Sequence, residues 1–282
     1  MRILVTIPAL ILYLSAMSIA VSAQTNIYPW LGGYSEPESL AERVLPPMGY
    51  KRIETAPGTF ANWLQHLPLK KGAPPVYLYT GEKKENQRIH CAVVDIDVGQ
   101  KNLQQCADAV IRLRAEYLYS VGIYDEIHFN FTSGDTAWFA EWLAGYRPEI
   151  KDNLVRWSNT MGVDSSYENF RRYLEVVFTY SGSYSLSQQL QQVDSVKEMR
   201  IGDIFIDGGF PGHAVIIVDM AVNQVTGEKA FLLAQSYMPA QDIHILINRG
   251  ELSISPWYKL EFGDCLDTPG WLFDKDDLMR FR

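Results

Sequence analysis

His213 follows a Pro-Gly turn and precedes Ala214, Val215, Ile216 and Ile217, so it emerges where a strand leaves a loop. An imidazole at such a strand end can move a proton near neutral pH or satisfy a backbone carbonyl of the turn, and both uses stay open. Gln235 closes the apolar segment LLAQS, as a site group or as a strand terminator. Leu103, Cys106, Ala107, Val110, Leu113 and Tyr117 recur at helical spacing, which sets Cys106 on an apolar face where a thiol commonly fills core. His90, Asp95 and Asp97 alternate along an expected strand. The two carboxylates then share a face and could hold a divalent cation or divide acid and base work, while His90 falls on the other face. No pair of histidines has zinc-ligand spacing, so neither a metal nor a cofactor is expected, and capping of the next helical region is the plainer use of the carboxylates. Asp203, in Gly-Asp-Ile-Phe, is expected to close a turn. Trp138 and Trp142, near Tyr146 and Arg147, could stack on a sugar or peptide or fill a core.

The elements that must position these groups are legible as local patterns. A short helix is expected from Thr59 to His66, ahead of Pro68, and strands over PPVYLYTG and RIHCAVVDIDVG. Asn102 and Gln105 form a capping-box pattern that opens a helix over about 103–119. EIHFNFTSG reads as a strand, followed by an aromatic helix through Trp138 and Trp142 that must stop near Pro148. Helices follow over YENFRRYLEVVFTYSG and SLSQQLQQV, and then strands over MRIGDIFIDGGFPGHAVIIVDMA, KAFLLAQSYMP and DIHILIN. Helices followed by a mainly antiparallel sheet make the expected class α+β. Residues 24–50, rich in Pro, Gly and aromatics, are expected to be an irregular lead-in lying across a surface.

Met1, Arg2, an apolar stretch from Ile3 to Val21 and the small residues Ser22 and Ala23 form a secretory leader over 1–23, which predicts a periplasmic or secreted protein. Residues 24–282 are expected to form a single globular domain, without repeats and without a later span long enough to cross a bilayer. The chain carries a formal net charge of −8, made more negative by loss of Arg2, and this repels phosphate backbones, so nucleic acid is an unexpected partner. Cys91, Cys106 and Cys265 allow one disulfide and one free thiol, or three reduced buried thiols.

IGDIFIDGGFPGHAVIIVD resembles the sheet of papain-like cell-wall peptidases and amidases, in which a Gly-Asp turn opens one strand and a His begins the next. The resemblance covers about residues 167–236, and the whole chain also resembles a secreted bacterial family known only as a domain of unknown function. It implies a papain-like arrangement acting on a cell-wall peptide or glycan, with His213 as general base and Gln235 orienting its ring. Two nucleophile positions stay open. The helix opening at Tyr167 lies at the usual spacing before the His strand, which would put a phenol in place of the thiolate and leave a non-catalytic binding module. Alternatively Cys106 attacks, with Gln100 upstream as an oxyanion-hole donor, at a separation from His213 longer than cell-wall peptidases use.

Overall fold

The apolar runs of the C-terminal half form the centre of one antiparallel sheet in the computed structural model, which describes residues 27–282. The strands are β1 (Tyr50–Arg52), β2 (His90–Val93), β3 (His128–Asn130), β4 (Thr136–Trp138), β5 (Tyr146–Lys151), β6 (Leu154–Asn159), β7 (Gln191–Gln192), β8 (Ile204–Asp207), β9 (His213–Asn223), β10 (Lys229–Gln235), β11 (His244–Leu246), β12 (Tyr258–Lys259), β13 (Cys265–Thr268), β14 (Trp271–Asp274) and β15 (Leu278–Arg280). The helices are α1 (Leu40–Arg43), α2 (Phe60–Gln65), α3 (Cys106–Ser120), α4 (Phe139–Leu143), α5 (Tyr167–Tyr180) and α6 (Ser183–Gln189). The main sheet runs β2-β11-β10-β9-β8-β15-β7, with β1 added to β9 and β12 to β10.

Helices together with antiparallel sheets make the fold α+β. They are interleaved rather than segregated, because β2, far upstream of the other central strands, pairs with β11. Residues 213–221 of β9 are all buried, which explains a nearly unbroken apolar run in an antiparallel strand. Ala214, Ile216, Val218 and Ala221 enter the core that includes α3, while Val215, Ile217 and Met220 meet Phe205, Phe231, Leu233 and Phe273 on the other face. Both faces are therefore dry. At about 25 cal/mol per Å² of apolar surface, two-sided burial makes β9 the strand that the fold can least afford to shift.

Several local expectations are corrected. Pro148 stops no helix: it lies in β5, paired with Trp157 of β6, and α4 is only five residues long. A hairpin replaces the expected helical tail, and Gly145, with φ +101°, makes the turn into it. PPVYLYTG forms isolated bridges, Tyr77 with Lys83 and Leu78 with Gln241, instead of a regular strand. The lead-in is not superficial either. Tyr28 is fully buried and donates its hydroxyl to the Trp63 carbonyl at 2.9 Å, within a cluster of Trp30, Tyr34 and Trp63. Large aromatic rings bring enough apolar area to join a core without any periodic pattern. Cys91, Cys106 and Cys265 are all free, but of the three only Cys106 is buried, while Cys91 is half-buried and Cys265 exposed. No helix among the described residues is long and apolar enough to cross a membrane, and the expected leader lies outside the described residues.

Candidate functional site

The start of α3 lies one turn later than the capping-box pattern predicts. Gln105 is the N-cap, and its backbone N–H donates to Asp108 Oδ2 at 3.0 Å, so Cys106 is the first helical residue. Three tethers hold it there. The Asn102 side chain accepts from the Ala240 N–H at 2.8 Å, and Ser236 Oγ donates to the Gln104 carbonyl at 2.8 Å and to the Gln241 carbonyl at 2.9 Å. Arg112, one face of α3 further on, donates to Gln104 Oε1 and to the Asp97 carbonyl, with Nη2 on Asp97 Oδ1 at 2.8 Å. The loop before α3 is thereby clamped to the loop after β10, and α3 packs along β9. The Cys106 sulfur faces the backbone of Ala214, the residue after His213.

His213 opens β9, where Gly212 leaves no room for a Cβ: one would stand 2.3 Å from Ser183 Oγ and 2.5 Å from the Asp207 carbonyl oxygen. The imidazole is boxed by Tyr237, Trp271 and Phe273, with ring centroids at 4.8, 5.4 and 5.8 Å. Its Nε2 lies 2.8 Å from Gln235 Oε1, at the end of β10. Gln235 Nε2 lies 3.4 Å from Nε2 of His244, which stands opposite Gln235 in the β10–β11 register, and His244 Nδ1 lies 2.9 Å from the Asp242 carbonyl oxygen. Burial pushes the Cys106 thiol up to about 11, against the lowering pull of the Ala214, Ala107 and Cys106 backbone. Burial likewise drives His213 down to about 4, opposed by the Gln235 bond and assisted by the positive charge of Lys84. The thiol and the imidazole are thus both neutral at rest. No hydrogen bond among the described residues joins the thiol to the ring.

A family described as Domain of unknown function (4846) matches residues 40–280, from α1 through β15. The chain belongs to that family. No curated protein and no solved structure matches it. In this member of the domain-of-unknown-function family, Cys106, His213 and Gln235, which the resemblance joins in one reading, converge in that His213 and Gln235 are bonded and Cys106 meets the backbone of the residue after His213.

Other residues fall elsewhere. Tyr167 opens α5, but its hydroxyl donates to Glu116 Oε1 at 2.7 Å, within the buried set of Arg112, Glu116 and Arg171, and it is Cys106 that faces the start of β9. Gln100 is exposed on the loop before α3 and has no hydrogen bond to Cys106, His213 or Gln235, whereas Gln104 is the buried amide of that loop. β2 ends at Val93, so Asp95 and Asp97 lie beyond the strand and share no strand face with each other. The Asp97 carboxylate pairs with Arg112 and Arg171. No group of three His, Cys, Asp or Glu that could hold a metal occurs among the described residues. Asp203 accepts from the Arg200 N–H at 2.7 Å, closing its turn, and also binds Arg280 through both oxygens. Trp142 is core, bonded to Asn169, while Trp138 is partly exposed and stacks on His128 at 4.2 Å. A cavity of about 380 Å³ lined by Arg114, His128, Trp138 and Gln189 contains none of the converging residues. His244, Tyr237 and Lys84 are neighbours of the site that residue type and spacing do not mark. The signal available for His244 was its place as the one polar residue inside the apolar run between Asp242 and Asn248; its position opposite Gln235 comes from the strand register.

Proposed function

We propose that this protein is an exported cysteine-type amide hydrolase with a papain-like arrangement, acting on a peptide of the cell envelope. The observation that carries the proposal is the His213–Gln235 bond of 2.8 Å, together with a cysteine at the first position of α3 that meets the backbone of Ala214, the residue after His213. A helix start offers unpaired backbone N–H groups and the positive end of the helix dipole, which favour both a thiolate and an oxyanion. With Nε2 bonded to Gln235, the other ring nitrogen of His213 is left to take the thiol proton. The sulfur then attacks the amide carbonyl carbon, and the carbonyl electron pair moves onto its oxygen. Collapse breaks the C–N bond as the imidazolium returns the proton to the leaving amine, and water hydrolyses the resulting thioester with the same imidazole as base. With thiol and imidazole both neutral, one proton transfer at the moment of attack suffices. In apo enzymes such contacts are commonly long and close on substrate binding. The leader over 1–23 and the net charge of −8 support a place outside the cytoplasm and a partner other than nucleic acid.

A second reading, a non-catalytic envelope binding module on the same scaffold, draws on the 8% exposure of Cys106 and its raised pKa. Iodoacetamide labelling across pH, read by peptide mass spectrometry, separates the two. Labelling of Cys106 in the folded protein that is lost in His213→Ala supports the hydrolase and directs the substrate screen to cell-wall peptides. Labelling of Cys106 only after denaturation sinks the hydrolase and leaves the binding module. The mass of the mature N-terminus in an expressing bacterium tests the leader.

A further inference from the structure

We infer that His244 is a positioning residue: it orients the Gln235 amide and through it keeps the His213 proton on Nε2, leaving Nδ1 as the base. The inference deepens the hydrolase reading and rests on it for its catalytic meaning. The chain of reasoning starts at the end of the relay. His244 Nδ1 lies 2.9 Å from the Asp242 carbonyl oxygen, and a carbonyl can only accept, so Nδ1 carries a hydrogen. The ring is fully buried, with His90 edge-on at 5.9 Å. The Asp242 carboxylate does not face the ring; it binds Lys70 at 2.9 Å and the Tyr77 N–H at 3.0 Å. Burial pushes His244 down to about 3, opposed by its bond to the Asp242 carbonyl and assisted by the positive charge of Lys84, so the ring is neutral and its Nε2 is a bare acceptor.

The amide of Gln235 lies between two rings and can satisfy them in one orientation only. Its nitrogen meets the lone pair of His244 Nε2 at 3.4 Å, which turns its oxygen to His213 Nε2 at 2.8 Å. An oxygen only accepts, so His213 must present Nε2–H. A flipped amide would set oxygen against the lone pair of His244 and two N–H groups against His213, and His213 would then move its proton to Nδ1, losing the lone pair that the thiol needs. In a site where almost no water reaches the amide, each group left unpaired by that mismatch loses its hydrogen bond with no water to replace it, which holds one orientation. One backbone carbonyl in the β10–β11 hairpin thus sets the tautomer of a ring three groups away.

The test is long-range ¹H–¹⁵N NMR of ¹⁵N-histidine-labelled protein, where five histidines can be assigned by single His→Gln changes. His213 with its proton on Nε2, and His244 with its proton on Nδ1, are expected. A His213 proton on Nδ1 in the wild type overturns the inference. His244→Phe keeps the ring volume and removes both hydrogen-bonding nitrogens. It is expected to mix the His213 tautomers and to slow Cys106 labelling by about tenfold or more, as loss of tautomer control does in other catalytic triads. His244→Asn, which returns an acceptor oxygen, is expected to recover part of that rate. A folded His244→Phe that keeps the Nε2 tautomer and the labelling rate also overturns it, and if that variant does not fold the wild-type spectrum decides. Cys106 inert in the wild type, with His213 protonated on Nε2, would end the hydrolase reading while the tautomer assignment stood.

Discussion

At the scale of single residues, the candidate site is a set of groups whose burial is tolerable only because each has a partner. Gln235 is the link whose loss touches the most. Gln235→Ala would leave His213 Nε2–H buried without an acceptor and His244 Nε2 without a donor, so a loss of about 1–3 kcal/mol in stability and a slower Cys106 reaction are expected together. Chemical denaturation and iodoacetamide kinetics on the same sample check this, and unchanged values in both would show that the relay is not made. The same burial sets a pH dependence. A histidine titrates near pH ~6.5 in the unfolded chain, and His213 near about 4 when folded. Between these values the unfolded chain binds more protons, so stability falls as pH drops from ~6.5 towards 4, by at most about 1.4 kcal/mol per pH unit for this group, and is flat above. His244, at about 3, adds to the same window and extends it downwards. Urea midpoints are expected to fall between pH 7 and pH 5, with a smaller slope in His213→Gln; an equal slope in that variant would mean that His213 is hydrated in the folded state. Residue types left Cys106, His213 and Gln235 with plainer uses open, and the papain-like resemblance joined them as candidates. Which of them touch is not written in type, and Gln100, exposed, and Tyr167, bonded to Glu116, show how plausible types can lie outside the cluster.

Among elements, position along a helix or strand decides what a residue can do. Periodicity placed Cys106 on an apolar face within a helix, and the cap one turn later places it at the first helical position, where N–H groups are unpaired. The difference arises because both Asn102 and Gln105 can open a helix, and Asn102 is instead drawn to the Ala240 N–H by a loop distant in sequence. The turn before β9 is equally constrained. Gly212→Ala would force a Cβ against the Asp207 carbonyl oxygen and Ser183, displacing the start of β9. A destabilisation of about 1–3 kcal/mol and a lower Cys106 labelling rate are expected. A melt and a rate equal to wild type would mean that the turn relaxes without moving His213. The hairpin of β5 and β6 was hidden for a related reason: aromatic residues serve helices and strands alike, and the choice was made by cross-strand pairing that a single segment does not contain.

In the whole molecule, the site depends on a buried polar cluster on the far side of α3. Arg112 is fully buried and holds Asp97, Glu116 and Gln104, the last being two residues ahead of Cys106. Arg112→Met removes the cation and leaves Glu116 buried. A loss of about 3–5 kcal/mol is expected from breaking a buried pair, together with slower Cys106 labelling as the 102–105 loop loosens. Restoring stability by adding Glu116→Leu while labelling stays slow would separate positioning from simple instability; full recovery of both would assign Arg112 to stability alone. The sequence by itself determined the apolar strands, the existence of the helices that became α3 and α5, though not the first turn of α3, and the Pro-Gly turn that presents His213, because spacing, capping and turn chemistry act over a few neighbouring residues. Tertiary structure alone decided that the start of α3, and not of α5, meets the start of β9, and that Gln235 is backed by His244. The first contact joins segments far apart in the chain and the second pairs neighbouring strands, and both follow from strand order, register and the burial of both sheet faces, which no local pattern encodes.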